Sequence, residues 1–266
     1  MLPTSPSTVA TALALTGAGV ALAPVAAQVA LRLRPGRNVF FARWGFSQVS
    51  VAVIAGLLLY LLGGLLPEGE LTSLLRPDLL LVGGAIVAVV AAERTQPEGW
   101  RSLGFHRGQT GRSIAAGVAT YLCCLPLLVG LTIGWPLLLG AFGGEPREVG
   151  SAVRMAQLDG TAWTMGALAL VLVAPVVREV VLRGFLQPLL VQNFSERGGI
   201  ALGGLLFALL QPVELFAPAL GMGVVLGVIM LRTQSLAATI TAHALHQALW
   251  LGLAAGAAWT GINPLL

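Results

Sequence analysis

Eight polar side chains interrupt apolar runs in places where they can do chemistry. They are Arg178, Glu179 and Arg183 in VVREVVLRGF, then Gln211 and Glu214, then His243, His246 and Gln247 in TAHALHQAL. On a helix, Glu179 and Arg183 are four residues apart with the acid first, the better order for an ion pair. A locking salt bridge near the membrane surface accounts for both without any catalysis. Arg178 points about 100° away from Glu179 by helical periodicity and needs another partner. Glu214, a lipid phosphate reached by snorkelling, or the polar face of the last span can supply one. His243, His246 and Gln247 share one helical face. Such a face can hold an oxyanion, or its histidines can join a carboxylate around a metal. Equally, it can hydrogen-bond to neighbouring helices and do no more.

The elements that must position these groups are membrane helices. The chain has 266 residues, is 56% hydrophobic and only 10% charged, with a mean hydropathy of +0.87. That is the pattern of a polytopic membrane protein, not of a soluble domain. The two cysteines, Cys123 and Cys124, are adjacent within an apolar segment and read as packing residues rather than a disulfide framework or a spaced metal motif. All 15 cations are arginine and the formal charge is +4. In a membrane protein this excess reports topology and contact with anionic headgroups, and no basic, aromatic-interleaved groove points to nucleic acid.

A bilayer core roughly 30 Å thick needs about 20 apolar helical residues. On that rule the chain reads as eight spans: 8–31, 44–66, 77–92, 113–142, 161–178, 199–212, 217–231 and 235–258. The first, lacking a basic n-region, reads as a retained span rather than a cleaved signal. Pro126 and Pro136 should kink or break the long fourth span. Arginines alternate along the connections: Arg32, Arg34, Arg37 and Arg43 in the first, only Arg76 in the second, and Arg94, Arg101, Arg107 and Arg112 in the third. Arg147 and Arg154 lie in the fourth, Arg197 in the fifth, none in the sixth, and Arg232 in the seventh. By the positive-inside rule both termini face away from the cytoplasm and the VVREVVLRGF end of span five lies toward it. Trp44, Trp163 and Trp259 stand near span ends, as an interfacial belt would put them. The pairs Gly199/Gly203, Gly223/Gly227 and Gly252/Gly256 have the spacing that lets membrane helices approach closely. The segment Glu93–Gly111, with Trp100, Leu103 and Phe105, reads as a short amphipathic element at the interface.

Three ordered motifs carry a resemblance. Arg178-Glu179-Val-Val-Leu-Arg183-Gly184-Phe185, then Phe207-Ala-Leu-Leu-Gln211, then His243-Ala-Leu-His246-Gln247 resemble the Glu-Glu-x-x-x-Arg, Phe-x-x-x-His and His-x-x-x-Asn motifs of a known family. It is the CAAX protease and bacteriocin-processing family (CPBP, or Abi) of intramembrane endopeptidases. The step Leu231-Arg232-Thr233-Gln234-Ser235-Leu236 looks like the family's turn before its last motif, and Leu103-Gly104-Phe105 like an earlier step. The resemblance implies an all-α, polytopic bundle of about eight transmembrane helices. Within a single integral membrane domain, 1–266, it divides divergent N-terminal spans, 1–160, from a core, 160–258.

The resemblance also implies roles. The family's water-activating positions fall on Arg178 and Gln211. A guanidinium accepts no proton at ordinary pH, and an amide orients water without acting as a base. Losing a general base typically costs about 10² to 10⁴ in rate. The oxyanion positions fall on His243, unchanged, and Gln247, one methylene longer than Asn. Glu179 and Arg183 match the family, and His246 and Glu214 stand by as supporting groups. The expected protein is therefore an endopeptidase relative with impaired or absent proteolysis. Such a protein binds a membrane-anchored peptide, lipid or partner protein, sits in a bacterial inner membrane, and needs no cofactor, although a metal remains open. The alternative is an active endopeptidase with a rearranged Glu/His site.

Overall fold

The computed structural model describes residues 6–32, 42–67, 69–105, 110–143, 158 and 160–260. Arg34, Arg37, Arg107, Arg147 and Arg154 lie outside them, as does the side chain of Trp259. Among the described residues the chain is all helical. Helix α1 is Pro6–Arg32, α2 is Phe46–Gly63 and α3 is Glu70–Thr95; a short 3-10 turn, Gly99–Leu103, leads to α4, Thr110–Ala141. Helix α5 covers residues 160–194 and α6 residues 196–209; a turn at Val213–Leu215 precedes α7, Phe216–Thr233, and α8 is Leu236–Thr260. Six stretches are long and apolar enough to cross a bilayer: Thr8–Ala26, Phe46–Gly63, Leu75–Thr95, Thr110–Ala141, Gly160–Leu209 and Val213–Thr233. The fifth holds both α5 and α6. Helix α8 falls outside the six because His243, His246 and Gln247 interrupt its apolar run. The protein is an all-α integral membrane helix bundle.

Proline explains the unusual backbone of α5. It contains two wide, π-type turns, Ala169–Val173 and Val180–Leu186. Each ends just before a proline, Pro175 or Pro188. A proline ring inside a helix strikes the carbonyl four residues back. Those carbonyls belong to Val171 and Gly184, both within the wide turns, and widening makes room for the ring without stopping the helix. The fifth span was expected to end at Arg178. Instead α5 runs on to residue 194, so VVREVVLRGF lies inside a continuous helix and not at its end. The reversal comes at Ser195, whose φ of 73° is a conformation that side chains rarely adopt. Its hydroxyl accepts the Gly198 N–H at 3.3 Å and so caps the start of α6. Pro126 and Pro136, expected to kink or break the fourth span, lie within α4, which continues through both.

Close contacts fix the relative directions. Glycine in α6 meets glycine in α7: a Cβ at Gly223 would lie 2.9 Å from the Gly204 backbone. Gly117 of α4 faces the Ala238 carbonyl of α8 with no room for a side chain. Gly252 and Gly256 differ from the expectation, since nothing lies within 4 Å of a Cβ at either. Helices α3, α5 and α7 run one way and α4, α6 and α8 the other, which is the alternation the arginines imply. The Gly99–Leu103 segment is also a correction. Trp100 is 42% exposed, but Leu103 is fully buried and packs with Val180, Phe185 and Leu236. The Gly104 carbonyl, at a left-handed φ of 113°, accepts the Leu236 N–H at 3.0 Å. This segment is therefore a clamp on the core rather than a surface strip. Trp44 is likewise buried, donating its indole N–H to the Phe185 carbonyl at 2.8 Å.

Candidate functional site

The polar centre lies where α5, α6, α7 and α8 meet. Glu179 and Arg183 stand one turn apart on α5 and are both fully buried. His243 of α8 reaches the same carboxylate: its Nδ1 lies 2.8 Å from Glu179 Oε1. An ionised carboxylate only accepts, so the imidazole donates from Nδ1 and leaves Nε2 for other work. Arg183 Nε lies 3.4 Å from Glu179 Oε2, an ion pair longer than a good hydrogen bond. Its Nη2 donates to the Gly223 carbonyl at 2.9 Å. One turn further, Gln187 Nε2 donates to the Gly227 carbonyl, also at 2.9 Å. A row of Glu179, Arg183 and Gln187 thus runs along α5 and grips backbone that glycines on α7 leave bare. Phe207 of α6 completes the centre, with its ring centroid 5.4 Å from that of His243 and 5.8 Å from the Arg183 guanidinium.

The expected site residues do not all gather there. Arg178 turns away to α3 and donates to one oxygen of Asp78 from Nε at 3.2 Å and from Nη2 at 2.7 Å. Asp78, and not the expected Glu214 or polar face of α8, is the hydrogen-bond partner it meets. Asp78 also balances the local charge, two arginines against two carboxylates. His246 belongs to another cluster. Its Nδ1 lies 3.4 Å from the Tyr121 hydroxyl and receives the Trp250 indole N–H at 3.3 Å. Gln211 follows the last turn of α6, and Gln247 lies one turn beyond His243. Neither amide is hydrogen-bonded to the Glu179–His243 pair. Among the described residues, no group of three or more His, Cys, Asp or Glu side chains comes together to hold a metal. The Glu179–Arg183 pair is completely buried within the bundle.

Sequence reasoning missed Asp78, Gln187 and Tyr121. Gln187 had a signal, because it extends the four-residue spacing of Glu179 and Arg183 by one more turn. Asp78 had a weaker one, as a lone carboxylate at the start of a span. Tyr121 had none, being an ordinary aromatic on an apolar helix.

Chemically, the centre is a carboxylate that orients an imidazole, with a guanidinium holding the carboxylate in place. Arrangements of that type appear in general acid–base catalysis. Arg178 and Gln211, the positions to which the resemblance assigned water activation, are a guanidinium turned toward α3 and an amide. Compared with known families, residues 160–249 match the model for type II CAAX prenyl endopeptidase Rce1-like proteins. No curated protein and no solved structure matches the chain. The match covers all three motifs, which lie on α5, at the end of α6 and on α8, with α7 between them. Residues 160–249 thus carry the CAAX-protease family resemblance that the motifs implied, in an integral membrane protein.

Proposed function

We propose that this CAAX-protease-like membrane protein has lost peptide-bond hydrolysis, or retains it only severely impaired, and acts by binding. Its ligand class is a membrane-anchored peptide, a lipid or a partner protein, and its setting is a bacterial inner membrane with both termini outside the cytoplasm. The observation that carries this reading is the Arg178–Asp78 pair at 2.7 Å. A residue in a water-activating position is committed to joining two helices and can take no proton. Glu179, the nearest carboxylate, is hydrogen-bonded to His243 through Oε1 and ion-paired to Arg183 through Oε2 at 3.4 Å.

One observation favours the alternative, an active endopeptidase with a rearranged site. The 2.8 Å Glu179–His243 contact leaves His243 Nε2 oriented as a potential base. A single assay separates the two readings. The purified protein in liposomes is offered a panel of prenylated and transmembrane peptides. Impaired proteolysis predicts no turnover above the background set by His243→Ala. Cleavage that His243→Ala abolishes would overturn the first reading in favour of the second.

A further inference from the structure

Asp78 neutralises the extra charge at the polar centre, whereas in a second group arginines outnumber acids. It lies at the end of the bundle where α3 and α7 finish and α4 and α8 begin. Arg43, Arg94, Arg101, Arg112, Arg197 and Arg232 gather there against Glu93, Glu98 and Glu196. One oxygen of Glu93 already accepts the Trp100 N–H at 2.9 Å. Arg43, Arg94, Arg112 and Arg197 are exposed, and water can solvate them. Arg101 and Arg232 differ. Both are half-buried, and the Nε of each is closed off from solvent with no hydrogen-bond partner among the described residues.

These two arginines are brought to one junction. The Gly104 carbonyl accepts the Leu236 N–H at 3.0 Å, tying the Gly99–Leu103 turn to the start of α8. Arg101 stands three residues before one end of that bond and Arg232 four residues before the other. An arginine Nε closed off from water without an acceptor is costly, and a phosphate oxygen matches guanidinium donors in geometry. Trp100, of the residue type enriched at headgroup level, is 42% exposed beside the junction, and the Arg101 guanidinium lies 5.7 Å from its ring centroid.

We propose that Arg101 and Arg232 bind a phosphate group, supplied by an anionic phospholipid, at the junction of the Gly99–Leu103 turn with α7 and α8. Because Leu103 packs on Val180 and Phe185, the bound headgroup fastens this turn against the helix bearing Glu179. The proposal goes beyond the reading of the polar centre and stands whether or not peptide bonds are cut.

The test measures thermal unfolding and lipid adducts by native mass spectrometry on the full chain in neutral detergent. Phosphatidylglycerol, phosphatidylcholine and inorganic phosphate are compared. Phosphatidylglycerol should raise Tm and leave a retained adduct, and Arg101→Gln with Arg232→Gln should weaken that binding at least tenfold. Arg94→Gln with Arg197→Gln, an equal loss of charge on exposed positions, should leave it within about twofold. Equal losses in the two double variants, or equal stabilisation by phosphatidylcholine, would overturn the site. Stabilisation by inorganic phosphate at the same concentration, lost in the Arg101/Arg232 variant, would overturn the lipid as its source. If the glutamine variant does not fold, Arg101→Lys with Arg232→Lys serves instead. It keeps the charge, loses the guanidinium fork, and should weaken binding several-fold; unchanged binding would overturn the assignment.

Discussion

Glu179 and Arg178 are neighbours in the chain, but they face different consequences on mutation. Glu179 is fully buried between His243 and Arg183, so Glu179→Ala leaves a buried guanidinium without its counter-ion. Breaking such a pair from one side costs about 3–5 kcal/mol. The Arg178–Asp78 pair keeps 15% and 19% of its side chains exposed, and water can take over when one partner is removed. Arg178→Ala should cost about 1.5–3 kcal/mol, the range of a hydrogen bond to a charged group, and toward its low end because water reaches the pair. Thermal unfolding in one detergent should show a markedly larger drop for Glu179→Ala; equal drops would mean that the Glu179 centre is hydrated. Half of this was legible in the sequence. The Glu179–Arg183 spacing announces its own pairing, because both partners lie on one helix. Asp78 comes from a helix a hundred positions earlier, and only tertiary packing could select it over Glu214.

At the scale of elements, wide turns and bare glycines set how the helices meet. Gly117 leaves no space before the Ala238 carbonyl, whereas Gly252 faces open space on the other end of α8. Gly117→Leu should therefore push α4 from α8 and cost about 1–3 kcal/mol, as overpacking does. Gly252→Leu should change Tm little, and a comparable loss there would reveal a partner surface on α8. The wide turn at Val180–Leu186 rests on Pro188. Pro188→Ala removes the ring that strikes the Gly184 carbonyl and restores an N–H, so the turn should tighten toward an ordinary helix. Hydrogen exchange over residues 184–189 should slow in that variant; unchanged exchange would mean that packing by Leu103 and Trp44 holds the wide turn open. Among the described residues the spacing of hydrophobic runs located each long helix, but not where α5 ends. Charges at 178, 179 and 183 looked like a helix terminus because ionisable groups usually mark one, and their mutual pairing is what let the helix continue.

For the whole molecule, helix directions alternate as the arginine distribution requires, but which face meets the cytoplasm rests on the charge rule alone. Single cysteines at position 4 and in the Gly99–Leu103 turn, in a Cys123→Ser, Cys124→Ser background, test this in intact cells. Position 4 should react with an impermeant thiol reagent and the turn should not; the reverse pattern would invert the protein. The placement of charged partners also has a consequence for synthesis. A lone charge at the centre of an inserting helix costs about 2.5–3.5 kcal/mol. When α5 leaves the ribosome, Arg183 can neutralise Glu179 within the same helix, and Asp78 for Arg178 is already in the membrane on α3. Only His243, which can be neutral, arrives afterwards. Each charge that α5 carries thus meets its counter-ion no later than it enters the lipid, so the helix that looks hardest to insert needs nothing that has not yet been translated.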